Sequence, residues 1–247
     1  MEPLTIRGFC KKTFQGMNSL QQQDARYLAH HEHLIGVDEA GRGALAGPVV
    51  AAACAVGRAL FADPEALVAC SLINDSKKLR AADREDSLKL MERLQTSGLI
   101  EFAVGVGSVQ EILELNILGA TRLAMRRAVE KTAALVSGLN LPQFAAEGPL
   151  FNETFPAKII VDGPPLKPFC YAHEGIVKGD SRSLCIAMAS IAAKVTRDRE
   201  MVRLAALHPV YGFDEHKGYG TKAHRQSLLR HGPCDAHRDL FLRKILV

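Results

Sequence analysis

Two acids stand side by side in the run Ile35-Gly36-Val37-Asp38-Glu39-Ala40-Gly41-Arg42-Gly43-Ala44-Leu45-Ala46-Gly47-Pro48. They leave an apolar strand and lead directly into a Gly-Arg-Gly turn. Further along, Asp162 ends a second apolar run, Lys158-Ile159-Ile160-Val161, and Asp198 lies inside a helical pattern. Four carboxylates in apolar or glycine-rich settings cannot stay ionised together without a compensating cation. An all-oxygen donor set favours a hard ion, Mg²⁺ or Mn²⁺, over zinc. Two such ions ~3.5–4 Å apart suit in-line displacement at phosphorus, one lowering the pKa of the attacking water and one stabilising the leaving oxygen. Asp38 and Glu39 carry a geometric condition. Strand neighbours point to opposite faces, so both enter one site only if the strand ends or bulges there.

Asp198 is placed by angle. At 100° per residue, Ile191, Val195 and Val202 project within about 40° of one another, with Asp198 on the same face and Thr196, Arg197, Glu200 and Arg203 mostly on the other side. A carboxylate on an apolar stripe needs a neutralising partner. A metal or a catalytic role provides one; a salt bridge to Lys194 at i−4 is the plain alternative.

Gly-Arg-Gly after a strand invites a dinucleotide-binding reading, but the spacing does not fit G-x-G-x-x-G and a strand follows Pro48 where a helix should open. The turn instead lets backbone groups approach a ligand closely, with Arg42 supplying directional donors. Tyr219, set between Gly218 and Gly220, suits stacking on a sugar or base. Lys77, Lys78, Lys178 and Lys194, taken singly, read as ordinary surface charge. The histidines show no metal-binding spacing, which leaves His216 at most a phosphate contact.

The elements that must position these groups follow from periodicity and turn residues. Helix is expected over 21–31, 83–96, 109–137 (as one helix or two), 187–207, and from a Thr221 cap to about Arg230. Strands are expected around residue 35, over 49–56, 101–106, 158–163 and 174–180, the first two antiparallel because no crossover helix fits between them. Residues 1–18 read as a loose arm and 139–157 as an excursion loop.

Composition bounds the class. With 47% hydrophobic and 23% charged residues, the 247-residue chain suits a globular domain with a sizeable core. Residues 158–247 carry a net +6 and residues 1–157 a net −2, a modest excess that points to a polyanionic partner or a solvated lysine face. The six scattered cysteines form no C-x-x-C pair and suit a reducing, cytoplasmic setting. No signal-peptide pattern opens the chain, and no run is long enough to span a bilayer.

Six motifs in order resemble the ribonuclease HII family: Gly36 to Gly43, Asp75-Ser76-Lys77-Lys78-Leu79, Val161-Asp162-Gly163, Lys178-Gly179-Asp180, Ala189 to Asp198, and His216 to His224. The resemblance implies an α/β RNase H-like fold, a mixed five-stranded sheet flanked by helices with a small helical C-terminal extension. It implies an endoribonuclease that cleaves the RNA strand of RNA–DNA hybrids and cuts 5′ to ribonucleotides embedded in duplex DNA, leaving 3′-hydroxyl and 5′-phosphate ends. Carried over by motif, Asp38, Glu39, Asp162 and Asp198 are the catalytic acids and ligands of two Mn²⁺ or Mg²⁺ ions. Gly41, Arg42 and Gly43 read the ribose 2′-hydroxyl, Tyr219 packs on the sugar beyond the cut, and Lys77, Lys178, Ser190 and Lys194 are phosphate or support positions.

The chain departs from the family pattern at Cys185 and Met188, which replace Ser and Ala. It also departs in the long excursion around Glu147 and at Asp239-Leu240, which follow His237-Arg238 in place of Ser-Phe. The resulting division is an N-terminal arm and helix at 1–30, a catalytic domain at 31–205 and a substrate-binding extension at 206–247. The expected partners are hybrid and ribonucleotide-containing duplexes, with no membrane and no obligate protein partner. Ribonuclease HIII fits less well, since 34 residues before the first strand leave no room for a separate binding domain. A non-catalytic nucleic-acid binder also suits the basic segment, but it gives no reason for carboxylates that repel phosphate.

Overall fold

The computed structural model describes residues 16–77, 79–142, 156–243 and 245. Lys78, Glu147, most of the 139–157 excursion and most of the 1–18 arm lie outside them. In chain order the elements are α1 (Ser19–Leu28), β1 (His33–Ala40), β2 (Val49–Gly57), the short α2 (Arg58–Ala62) and α3 (Pro64–Ala69), α4 (Ala81–Thr96), β3 (Ile100–Gly107) and α5 (Val109–Leu135). There follow β4 (Ala157–Asp162), β5 (Glu174–Ile176), α6 (Leu184–Leu207), α7 (Phe213–His216), α8 (Lys222–His231) and α9 (Asp239–Leu242).

The strands form one mixed five-stranded sheet in the order β3-β2-β1-β4-β5. β1, β2 and β3 are antiparallel, as the short β1–β2 connection requires, and β4 and β5 run parallel to β1. The central strands are buried on both faces, which explains their unbroken apolar runs. Alternate residues of β1 serve opposite layers. Leu34 and Ala40 pack with Cys185, Met188 and Ile191 of α6, whereas Ile35 and Val37 pack with Ala120, Ala124 and Ala128 of α5. Small residues bring these layers close. A Cβ on Gly36 would collide with the Cys185 backbone, and the Gly36 N–H donates to Cys185 Sγ at 3.0 Å. Cys185 thus bridges strand and helix, its thiol donating to the Cys54 carbonyl at 2.8 Å.

Two expectations change. The last strand stops at Ile176 rather than running to Asp180, because Lys178 adopts the left-handed conformation (φ 57°) and a 3₁₀ turn follows over Gly179–Ser181. Of the two forms open to residues 109–137, the structure has two segments: the helix breaks at Asn116, whose side chain accepts from the N–H groups of Leu118 and Gly119 and so opens the second. In α6, Arg197 is fully buried and Val202 is 50% exposed, the reverse of the angular expectation. A single apolar stripe describes a helix covered on one side. The later half of α6 is instead covered by α7 and α8 with the 41–48 turn, on the face that carries Arg197 and Met201. Thr221 caps α8 as expected, accepting from His224 N–H at 3.3 Å. Among the described residues no helix is long and apolar enough to cross a membrane.

Candidate active site

Parallel pairing of β1 with β4, Val37 opposite Val161, sets Asp38 and Asp162 side by side toward the C-terminal ends of two neighbouring strands. Asp38 is only 4% exposed. Its Oδ1 accepts from Glu39 N–H at 2.7 Å, and the Ser190 hydroxyl on α6 also donates to its carboxylate. Ser190 Oγ in turn lies 2.8 Å from Ser76 Oγ. Asp162 Oδ1 accepts from Gly179 N–H at 2.6 Å, which fixes the carboxylate against the turn after β5.

The third acid of the site is Asp180. Carboxylate oxygens of Asp38, Asp162 and Asp180 lie within 4.8 Å of one another. Asp180 is buried and its Oδ2 accepts from Lys77 Nζ at 2.9 Å. The residue types carry a signal for it: an acid closing a strand-like run, Glu174 to Gly179, as Asp162 closes its own.

Asp198 is not brought into this group. Its Oδ1 accepts from Lys194 Nζ at 2.7 Å and its Oδ2 lies 3.7 Å from Arg84 Nη2, so the i−4 salt bridge is the arrangement found. Arg84 also donates through Nη1 to the carbonyls of Ser76 and Leu79. Asp198 and Lys194 therefore brace the loop that delivers Lys77 to Asp180.

Glu39 meets the strand condition only in part. β1 continues regularly through Ala40, with Glu39 opposite Ala51 and no bulge, so Asp38 faces α6 and Glu39 the other side. Glu39 Oε1 pairs with Arg42 Nη1 at 2.9 Å. The two acids still act on each other. Burial pushes the Asp38 carboxyl well above its usual range, and the charges of Glu39 and Asp162 add to the effect. Burial likewise raises Glu39 against the pull of Arg42, and raises Asp162 against the Gly179 N–H. Three mutually repelling carboxylates at this spacing fit a hard divalent cation, which supplies the positive charge they lack. A second group that could take a metal, His208, Cys234 and Asp235, is hydrogen-bonded internally. His208 pairs with Asp235 at 3.1 Å, and Cys234 Sγ lies 3.1 Å from His237 Nδ1.

Beside the acids the Gly-Arg-Gly turn exposes Arg42 and Gly43 and buries Gly41 against Arg197. Arg197 also lies under the Tyr219 ring, 5.3 Å from its centroid, and that ring is 38% exposed. One buried cation thus supports both the turn and the tyrosine. Lys178 is exposed on the turn leading to Asp180. His216 is no free phosphate contact: its ring bonds the Tyr211 carbonyl at 2.7 Å and accepts from Gly218 N–H at 3.2 Å.

A ribonuclease HII from Fusobacterium nucleatum is 43% identical over 222 residues, 89% of this chain and 90% of the relative. One from Delftia acidovorans is 46% identical over 206 residues, 83% and 74% respectively. Among solved structures, the ribonuclease H2 of Pyrococcus horikoshii OT3 is similar at a TM-score of 0.56 and 25% identity, covering 87% of this chain and 97% of the other. The Ribonuclease HII family profile matches residues 35–244, a span that takes in the acids, the turn and the tyrosine, and the chain belongs to the ribonuclease HII family.

Proposed function

We propose that this ribonuclease cleaves the RNA strand of RNA–DNA hybrids and cuts on the 5′ side of ribonucleotides embedded in duplex DNA, leaving 3′-hydroxyl and 5′-phosphate ends. The observation that carries this reading is the convergence of Asp38, Asp162 and Asp180 within 4.8 Å, next to a turn with an exposed glycine backbone. Asp38, Asp162 and Asp180 would hold two divalent ions, Mn²⁺ or Mg²⁺, with Glu39 close enough that its charge acts on Asp38 and Asp162. Bound there, such ions lower the pKa of the attacking water and stabilise charge on the phosphate and leaving oxygen.

The remaining roles belong to the chain itself. Ser190 and the Glu39 N–H orient Asp38, and the Gly179 N–H orients Asp162. Lys77 pairs with Asp180 and stands ready to pair with a phosphate. Lys178, exposed nearby, is a second phosphate contact. Asp198 and Lys194 brace the Ser76–Leu79 loop rather than hold metal. Gly41, Arg42 and Gly43 meet the ribose 2′-hydroxyl, the group that marks RNA within DNA, while Tyr219 packs on the adjoining sugar. Buried free thiols such as Cys54 and Cys185 suit a reducing cytoplasm.

The test is a labelled duplex with one ribonucleotide, incubated with and without Mn²⁺. A single metal-dependent cut 5′ to the ribonucleotide is expected. Binding without metal-dependent cleavage would overturn the reading in favour of a nucleic-acid binder.

A further inference from the structure

The turn that carries Gly41, Arg42 and Gly43 is held from within by two buried arginines. Arg238, from the segment before α9, donates through Nε to the Gly47 carbonyl at 2.8 Å and through Nη1 to those of Arg42 at 3.2 Å and Ala44 at 2.8 Å. Arg197 donates through Nε to the Pro48 carbonyl at 3.0 Å and through Nη2 to that of Ala46 at 3.1 Å. Its Nη1 reaches the Lys217 carbonyl at 2.9 Å, two residues before Tyr219. Guanidiniums thus hold the carbonyls of residues 42, 44, 46, 47 and 48. In a trans peptide the N–H points opposite to the C=O of the same plane. An Arg42 carbonyl drawn inward therefore turns the Gly43 N–H outward. Gly43 is exposed, and among the described residues its N–H has no acceptor.

We propose that Arg238, together with Arg197, is a positioning residue for ribonucleotide selection: the pair turns the 42–48 carbonyls inward and so aims the Gly43 N–H at the ribose hydroxyl, in fixed relation to Tyr219. The inference rests on the reading that the turn and Tyr219 meet the ribose. Two features set the pair apart from ordinary packing. Arg238 Nη2 is buried with no hydrogen-bond partner among the described residues, an arrangement that a support selected for stability alone would avoid. Arg197 also joins the turn to the tyrosine, touching Gly41 on one side and the Tyr219 ring on the other. The planar fork is essential, since a lysine ammonium cannot hold several carbonyls at fixed angles.

The experiment compares the full-length wild type with Arg238→Lys and Arg197→Lys on two substrates under the same Mn²⁺: a DNA duplex with one ribonucleotide, and a fully paired RNA–DNA hybrid. The hybrid offers many ribose hydroxyls in alternative registers and forgives a misaimed donor. The single ribonucleotide does not. In each variant the ratio of kcat/KM for the single ribonucleotide to that for the hybrid should fall about tenfold, the discrimination lost with one misplaced polar contact. Mn²⁺ affinity by calorimetry should stay at the wild-type value. Equal losses on both substrates, or unfolding of both variants, would make the arginines mere supports and overturn the proposal. Failure of the wild type to cut either substrate would instead refute the functional reading beneath it.

Discussion

Gly41 and Arg197 compete for one volume: the guanidinium stem of Arg197 stands where a side chain on Gly41 would be, and Gly41 holds φ at 91°. Gly43, two residues on, has open space at its Cβ position and no positive φ. The two glycines of one motif therefore answer to different demands, the first to packing and the second to the ligand.

Alanine at each should separate those demands. Gly41→Ala combines a disfavoured backbone with overpacking against a buried cation, costing roughly 2–5 kcal/mol and lowering the melting temperature by roughly 5–15 °C. Gly43→Ala should melt within about 2 °C of the wild type while losing cleavage at a single ribonucleotide, because its methyl occupies the ribose side. Thermal melts with the cleavage assay check both. Equal melting temperatures for the two variants would contradict the assignment.

Asp180 and Asp198 should likewise part company. Asp180→Asn removes a member of the acid cluster and should reduce cleavage by more than about 10³-fold, with weakened Mn²⁺ binding. Asp198→Asn only loosens Lys194 and Arg84, and should cost no more than about 10–100-fold, the range of a supporting contact. Calorimetry and cleavage rates decide, and the opposite ranking would return Asp198 to the metal site.

The placement of Asp198 beside Lys194 and Arg84 shows what a sequence pattern can and cannot carry. Local signals were sound. The strand end at Asp162, the antiparallel β1–β2 pair, the Thr221 cap and the Gly-Arg-Gly turn all follow from neighbours within a few residues, whereas β1 runs past Asp38 to Ala40. The mixed five-stranded sheet came from the family resemblance and is the sheet found. The placement of Asp180 beside Asp38 and the burial of Arg197 depended on long-range geometry instead. A left-handed Lys178 ends β5 early and folds Asp180 back toward Asp38. The C-terminal layer buries a face of α6 that its own periodicity assigns to solvent. Arg238, 191 residues from the Gly47 carbonyl it holds, had no local signal beyond an Arg next to a His.

Stability should depend on pH through Asp24. This carboxylate in α1 is fully buried and accepts from Cys185 N–H at 2.8 Å, and burial raises its pKa to about 7. The unfolded carboxyl ionises near 3.8. Between these values the folded protein binds the extra proton, so this group makes stability fall as pH rises from about 4 to about 7, after which the effect is constant. Asn at this position can still accept from Cys185 and never ionises. Asp24→Asn should match the wild type near pH 4 and exceed it by on the order of 4 kcal/mol at pH 8. Parallel melting curves across that range would show that Asp24 does not hold its proton in the fold.

The acid cluster makes a complementary prediction about metal. Burial, Glu39 and Asp162 all raise the Asp38 carboxyl, so above the usual carboxylate range its ionisation opposes folding when no cation is present. Asp38→Asn removes that repulsion while leaving an acceptor for the Glu39 N–H. In chelator at pH 8 the variant should melt higher than the wild type. Under Mn²⁺ the order should reverse: a ligand at 100 times its Kd adds about 2.7 kcal/mol to the state that binds it, and only the wild type keeps the full donor set. The variant should also be inactive at every metal concentration tested. Crossing melting temperatures, with and without Mn²⁺, would mark Asp38 as a group whose cost to the empty fold is repaid only by the ion. Variant and wild type shifting alike with Mn²⁺ would place the metal elsewhere.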